Sequence, residues 1–163
     1  MSANDVLKFI KDKEAEFVDL RFTDPRGKLQ HLTMDSTVVD EDMLKDGVFF
    51  DGSSIAGWKA INESDMILKP DTSRFFLDPF TSHNTAVLFC DILDAVKKTP
   101  YERDPRGVAK KAEEYLKSSG VGDKAFFGPE PEFFFFDDVR IKHDMTSCGF
   151  TTDSKDGPYT SGT

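Results

Sequence analysis

Between Val18 and Phe22 the chain alternates, with apolar Val18, Leu20 and Phe22 separated by charged Asp19 and Arg21. A two-residue period is that of a strand with one face buried. Asp24-Pro25-Arg26-Gly27 follows as a tight turn, because proline presets its φ and glycine tolerates positive values. Gln30, Leu32 and Met34 then fall on one face of a returning strand, so the pattern predicts a hairpin over Phe17–Met34. Ahead of it, Ser2 with Asp5 three residues later is a helix-start signature. Val6, Leu7 and Ile10 give that helix one apolar face, and it is expected to reach about Glu14.

From Asp35 to Ser82 short apolar pieces mix with Gly, Ser, Asp and Pro, and strands are expected around Met66–Lys69 and Arg74–Leu77. Thr85–Leu93 is a nearly continuous apolar run, the pattern of a strand buried on both faces. Together these elements predict a small mixed sheet carrying a helix over residues 15 to 98. Lys97-Lys98-Thr99-Pro100 reads as a domain boundary. Asp-Pro-Arg-Gly recurs at Asp104–Gly107, now followed by Val108, Ala112, Tyr115 and Leu116 at helical spacing. Asp104 suits the N-cap, Pro105 the first helical position and Gly120 the stop. A strand at Ala125–Phe127 is expected next. The polar tail from Lys142 to Thr163 reads as a loop or an interrupted hairpin. The strand–helix–strand unit begun here lacks sheet partners, which points to truncation.

Composition narrows the class. The chain has 163 residues, 38% of them hydrophobic and 16 of them Phe, enough to bury a core. Its formal net charge of −9 repels a phosphate backbone, so a nucleic-acid partner is not expected. The excess carboxylates suit divalent cations, but their default role is a solvated surface. Cys90 and Cys148 give neither a disulfide framework nor metal-ligand spacing. Met1–Asp5 lacks the features of a signal peptide, and the longest apolar run, Ala86–Cys90, is too short to span a bilayer. The expectation is a cytoplasmic protein without membrane association.

Two constellations could carry chemistry. In Gly128-Pro129-Glu130-Pro131-Glu132, followed by Phe133–Phe136, the two glutamates lie two residues apart. On an extended chain they share a face and stand about 7 Å apart. The prolines stiffen the segment, and hard cations such as Mg²⁺ prefer carboxylate oxygens. An edge strand protected from aggregation by Glu and Pro accounts for the same pattern, and spacing alone leaves both readings open. In Phe49-Phe50-Asp51-Gly52-Ser53-Ser54-Ile55-Ala56-Gly57-Trp58, Asp and Ser offer acceptors for a small cation such as ammonium. The same residues are also ordinary turn formers. His31, His83 and His143 have no partner at metal or triad spacing, and no Gly-rich phosphate loop is present.

Taken in order, several segments resemble bacterial-type glutamine synthetase. They are Phe49–Ile55, Asp71 with Asp78-Pro79-Phe80, Arg103–Arg106, Gly128–Phe134, Asp137–Arg140, Asp153-Ser154 and Gly157-Pro158-Tyr159. The resemblance implies an α+β chain: an N-terminal helix over 1–14, a β-grasp domain over 15–98, and over 104–163 the incomplete start of a catalytic α/β domain. It implies ligation of ammonia to glutamate with ATP, through γ-glutamyl phosphate. Glu132 would bind the Mg²⁺ or Mn²⁺ ion nearer glutamate and Glu130 the ion nearer the ATP phosphates. Asp51 would attract ammonium and help take up its proton, in a loop reaching a neighbouring subunit of a ring-shaped, dodecameric homo-oligomer. Ser54 would support that loop. The remaining ion ligands, the phosphate-binding arginines and most of the nucleotide pocket would lie beyond Thr163. The chain alone is therefore expected to be inactive, with an exposed apolar face around Phe133–Phe136. Two alternatives stand beside the ligase: a non-catalytic β-grasp interaction module, and another ATP-dependent carboxylate–amine ligase on the same scaffold.

Overall fold

The computed structural model describes residues 1–58 and 64–157, divided into a unit over Met1–Ala125 and a second over Phe126–Thr163. Helix α1 (Ala3–Asp12) starts on the expected capping box. The Ser2 hydroxyl accepts from the Asp5 N–H at 3.3 Å, and the Asp5 carboxylate accepts from the Ser2 N–H at 2.7 Å. Val6 and Ile10 are buried. The helix ends two residues before Glu14, which takes φ +48° and turns the chain toward the sheet.

Five strands follow: β1 (Phe17–Thr23), β2 (Leu29–Asp35), β3 (Val48–Asp51), β4 (Asp65–Leu77) and β5 (Thr85–Asp94). They form one mixed sheet in the order β2-β1-β5-β4-β3. The predicted hairpin pairs β1 with β2, Leu20 facing Leu32. β1 runs parallel to β5, while β4 is antiparallel to both β5 and β3. Alternation sends Val18, Leu20 and Phe22 to the core face, where Leu88, Cys90 and Ile92 of β5 and Met66 and Leu68 of β4 meet Val6 and Ile10. As the unbroken run predicted, β5 is covered on both faces, with Ala86, Val87, Leu88 and Cys90 fully buried. Burial pushes the Cys90 thiol far up, so it stays protonated.

Three elements of the first unit differ from expectation. The two predicted strands at Met66–Lys69 and Arg74–Leu77 are one strand, β4, whose pairing with β5 slips between Pro70 and Phe75. Pro70 has no N–H for the ladder, and the Asp71 carboxylate accepts from the Ser73 N–H at 3.0 Å, which bulges the chain there. A short helix, α2 (Glu41–Asp46), was hidden in the mixed stretch. Asp40 caps it at Met43 N, 2.7 Å, and Gly47 ends it with φ +88°. A Cβ on Gly47 would lie 2.5 Å from the Leu68 carbonyl oxygen, so glycine alone lets α2 close onto β4.

The third difference concerns α3 (Pro105–Ser118). It begins at the predicted Asp104 cap and stops ahead of Gly120 at φ +71°. Its expected apolar face is not buried, however: Val108 is 53% and Tyr115 74% exposed. Charge holds the helix instead. Arg106 donates to Asp91 at 3.0 Å and to Asp71 at 2.7 Å, and Lys110 also pairs with Asp91. Asp104, 1% exposed, caps Arg106 N and accepts from the Ile92 N–H at 3.1 Å. Desolvation raises its pKa, against the pull of these backbone donors.

In the second unit the tail forms a hairpin of β6 (Asp138–His143) and β7 (Cys148–Asp153). At its turn, N–H groups of Thr146 and Ser147 and the Thr146 hydroxyl hold the Asp144 pKa down to about 2. The strand expected at Ala125–Phe127 is not formed: residues 124–136 carry no helix or strand, and Phe126 and Phe127 are exposed. Among the described residues no helix is long and apolar enough to cross a membrane.

Candidate functional site

The Asp51 loop grows out of the sheet edge. β3 alternates, Phe50 turning inward to Phe22 at 5.3 Å between ring centroids while Phe49 stays 62% exposed. The last rung of β3 with β4 sets Asp51 opposite Asp65. Facing like charges repel, so this rung favours a nearby cation. Asp51 then caps a single turn of 3₁₀ helix over Gly52–Ser54: its Oδ1 accepts from the Ser53 N–H at 2.9 Å and the Ser53 hydroxyl at 2.6 Å. The Ser53 hydroxyl, then its N–H, with a further contribution from the Ser64 hydroxyl, lower the Asp51 pKa below the usual carboxylate value. The side chain is exposed, ionised and fixed in direction.

The loop is anchored from below. Gly52 is buried, and its N–H donates to the Ser64 carbonyl at 2.7 Å. Ile55 enters the core, and the chain turns at Gly57 with φ +87°. Trp58, 4% exposed, stacks on Phe22 at 5.6 Å and meets Tyr101 edge-on at 5.9 Å. It packs beneath the loop, and its Nε1 has no hydrogen-bond partner among the described residues. Ser54 is exposed. Of the two serines of the loop, Ser53 supplies the hydroxyl that bonds Asp51, at the Asp-x-Ser spacing of a local capping pattern.

Glu130 and Glu132 lie in the second unit, both exposed. Behind them the rings pair two residues apart, Phe133 with Phe135 at 5.0 Å and Phe134 with Phe136 at 6.1 Å. Pairing at that interval is the signature of an extended backbone whose alternate side chains share a face, even though no ladder forms. The four rings are 69, 86, 82 and 46% exposed, the apolar face expected from the sequence. Among the described residues neither glutamate is tied in a hydrogen bond or ion pair, and no group of three His, Cys, Asp or Glu stands together as a ligand set. The Asp51 loop and the glutamates belong to different units.

Other residues of the sequence pattern are structural. Asp71 and Arg106 pin α3 to the sheet. Arg21 bridges Asp19, at 2.7 Å, and Asp78. Arg140 braces the second hairpin between Asp138 and Asp153, at 2.7 and 2.8 Å. His31 contacts the buried Asp19 at 2.8 Å and His83 contacts Glu16 at 3.2 Å. The Pro158-Tyr159 part of the pattern lies outside the described residues.

Two family models match the chain. One described as "Glutamine synthetase, beta-Grasp domain" covers residues 14–95, and one described as "Glutamine synthetase, catalytic domain" covers residues 102–162. A protein named glutamine synthetase from Rhizobium meliloti (strain 1021) is 63% identical over 96% of this chain and 34% of its own length. A protein named 3-hydroxylaminophenol mutase from Cupriavidus pinatubonensis is 50% identical over 99% of this chain and 34% of its own. Among solved structures, the Plasmodium falciparum glutamine synthetase superposes with a TM-score of 0.70 at 25% identity, over 95% of this chain and 30% of that one. The chain thus spans about a third of the length of the curated relatives it matches.

Proposed function

The chain belongs to the glutamine synthetase family, and from that premise we propose that it forms the N-terminal part of an ATP-dependent ligase joining ammonia to glutamate. In this reading ATP phosphorylates the glutamate γ-carboxylate, and ammonia displaces phosphate from the resulting γ-glutamyl phosphate to give glutamine. The boundary between the β-grasp domain, residues 15–98, and the start of the catalytic domain, 104–163, falls at Lys97–Pro100. The protein works in the cytoplasm as a dodecameric ring in which the Asp51 loop serves a neighbouring subunit's site.

The observation that carries the reading is the Asp51 carboxylate. Ammonium must be gathered and must lose a proton before its nitrogen can attack. Ser53 keeps Asp51 ionised and leaves it facing solvent, opposite a second carboxylate on Asp65. A cation is attracted to such a pair, and Ser54 lines the same turn. Asp51 thus acts first by charge; its lowered pKa makes it a weak base, so it helps the ammonium proton leave toward solvent rather than keeping it.

Glu130 and Glu132 fit a divalent cation by their chemistry: both offer hard oxygen donors, unoccupied by lysine or arginine among the described residues. Two such side chains are a partial ligand set, with Glu132 on the ion nearer glutamate and Glu130 on the ion nearer ATP. Mg²⁺ or Mn²⁺ bound there supplies charge stabilisation during phosphoryl transfer. The two prolines hold the aim of the carboxylates fixed.

The test is made on a full-length protein carrying this sequence. With ATP, glutamate and ammonium it should form glutamine, ADP and phosphate in equal amounts. No glutamate-dependent release of ADP would reject the reading. A second reading is favoured by the half-identical relative that carries a mutase name: the same scaffold acts on other substrates. A panel of carboxylates and amines with 3-hydroxylaminophenol added separates the two, since turnover of any of these in preference to glutamate and ammonium selects the second.

A further inference from the structure

We infer that Tyr101 and Arg103 are positioning residues for the Asp51 loop, fixing where its carboxylate stands; this rests on the reading of that loop as the ammonium site. The loop's near end is held by short-range contacts, Asp51 with Ser53 and Gly52 with Ser64. Its far end passes through Gly57 at φ +87°, where the backbone bends freely unless something grips it. Two side chains grip it there, on successive carbonyls. Arg103 Nη1 donates to the Gly57 carbonyl at 2.7 Å, and the Tyr101 hydroxyl donates to the Trp58 carbonyl at 2.8 Å.

Neither donor is local. They come from 46 and 43 residues further along the chain, from the segment that leads into α3. That segment is itself fixed. Tyr101 N–H donates to the Ile92 carbonyl at 2.9 Å, Leu93 bridges Pro100, and Asp104 is buried against Ile92. The Tyr101 ring also packs on the Trp58 indole, so the hydroxyl is aimed by a contact that survives its removal. A rigid strand end thereby adds directional hydrogen bonds to the far side of the loop, where burial of Ile55 and Trp58 already holds it to the core. Because the clamp touches the backbone, it controls placement of Asp51 without touching any reactant.

The experiment uses the full-length protein with Tyr101→Phe and Arg103→Met, neither of which keeps a donor at the clamp, and measures KM separately for ammonium, glutamate and ATP. Each variant removes one hydrogen bond, so the ammonium KM should rise roughly three- to tenfold. The glutamate and ATP values should stay unchanged, and Arg103→Lys, which keeps a donor, should recover part of the loss. An unchanged ammonium KM in both variants overturns the inference, as does an equal rise in all three constants, which would mark a general structural defect. Asp51→Asn is run in parallel. If it impairs ammonia use while the clamp variants do not, the clamp alone is refuted. If Asp51→Asn leaves ammonia use intact, the ammonium reading of the loop falls and the clamp's role falls with it.

Discussion

Placing alanine at Gly52 tests whether the Asp51 loop is seated on the core or merely lies over it. An added Cβ would stand 2.2 Å from Met66 Sδ, 2.7 Å from Met66 Cγ and 3.0 Å from the Ser64 carbonyl oxygen. Ordinary contacts between such atoms are about 3.5–4.0 Å. Met66 is fully buried, so its side chain has no free space to retreat into, although a methionine adapts better than most residues. The alternative is for the loop to lift, which breaks the 2.7 Å bond from Gly52 N–H to Ser64. Overpacking of this kind costs about 1–3 kcal/mol, and the lost hydrogen bond about 1 kcal/mol; only one of the two responses need occur. The expected loss for Gly52→Ala is therefore about 1–3 kcal/mol, read from the urea midpoint of the full-length protein. Lifting the loop also displaces Asp51, so the ammonium KM should rise while the ATP value holds. A variant as stable as the parent, with an unchanged ammonium KM, would refute the seating of the loop on Met66.

Further outcomes follow from the charged attachments. Asp104→Ala should lower stability by about 2–4 kcal/mol in the same denaturation assay, since it removes the α3 cap and strands the buried Ile92 N–H. Arg106→Gln should cost about 1–2 kcal/mol, reduced by solvent screening because Arg106 and Asp71 are each 29% exposed. Asp78 and Asp71 have pKa values lowered below 3.8, Asp78 chiefly by the Phe80 N–H and Arg21, and Asp71 chiefly by the Ser73 hydroxyl. Their contribution is full above the unfolded value and is lost as pH falls through the folded values, so the urea midpoint should drop on acidification below about pH 4. Glu132→Ala should weaken Mn²⁺ binding to the full-length protein in a titration, and unchanged affinity would remove Glu132 from the ion site.

What was legible in the sequence was mostly local. The Ser2–Asp5 box, the Pro25–Gly27 turn and the Asp104-Pro105 start each involve residues within four positions, and each formed as read. β5 was legible for another reason: an unbroken apolar run has nowhere to go but inside. The failures came where distant partners decide. The face of α3 looked apolar, yet the helix is held by Arg106 reaching Asp71 and Asp91, 35 and 15 residues away. Ala125–Phe127 has strand-like residues but no ladder partner among the described residues, and a strand needs one. At the Asp51 loop the neighbouring residues gave only a turn with acceptors and the resemblance supplied the role expected of the carboxylate, while the Tyr101 and Arg103 contacts that brace the loop cross more than forty positions and leave no short-range trace.

The most direct measurement separates the two half-reactions in Asp51→Asn of the full-length protein. Glutamate-dependent transfer of the ATP γ-phosphoryl group and ammonium-dependent formation of glutamine are followed side by side. If the pinned carboxylate gathers ammonium, glutamine formation falls steeply at limiting ammonium while phosphoryl transfer stays near the parent's. Equal loss of both half-reactions, or no loss in either, would contradict the role given to Asp51.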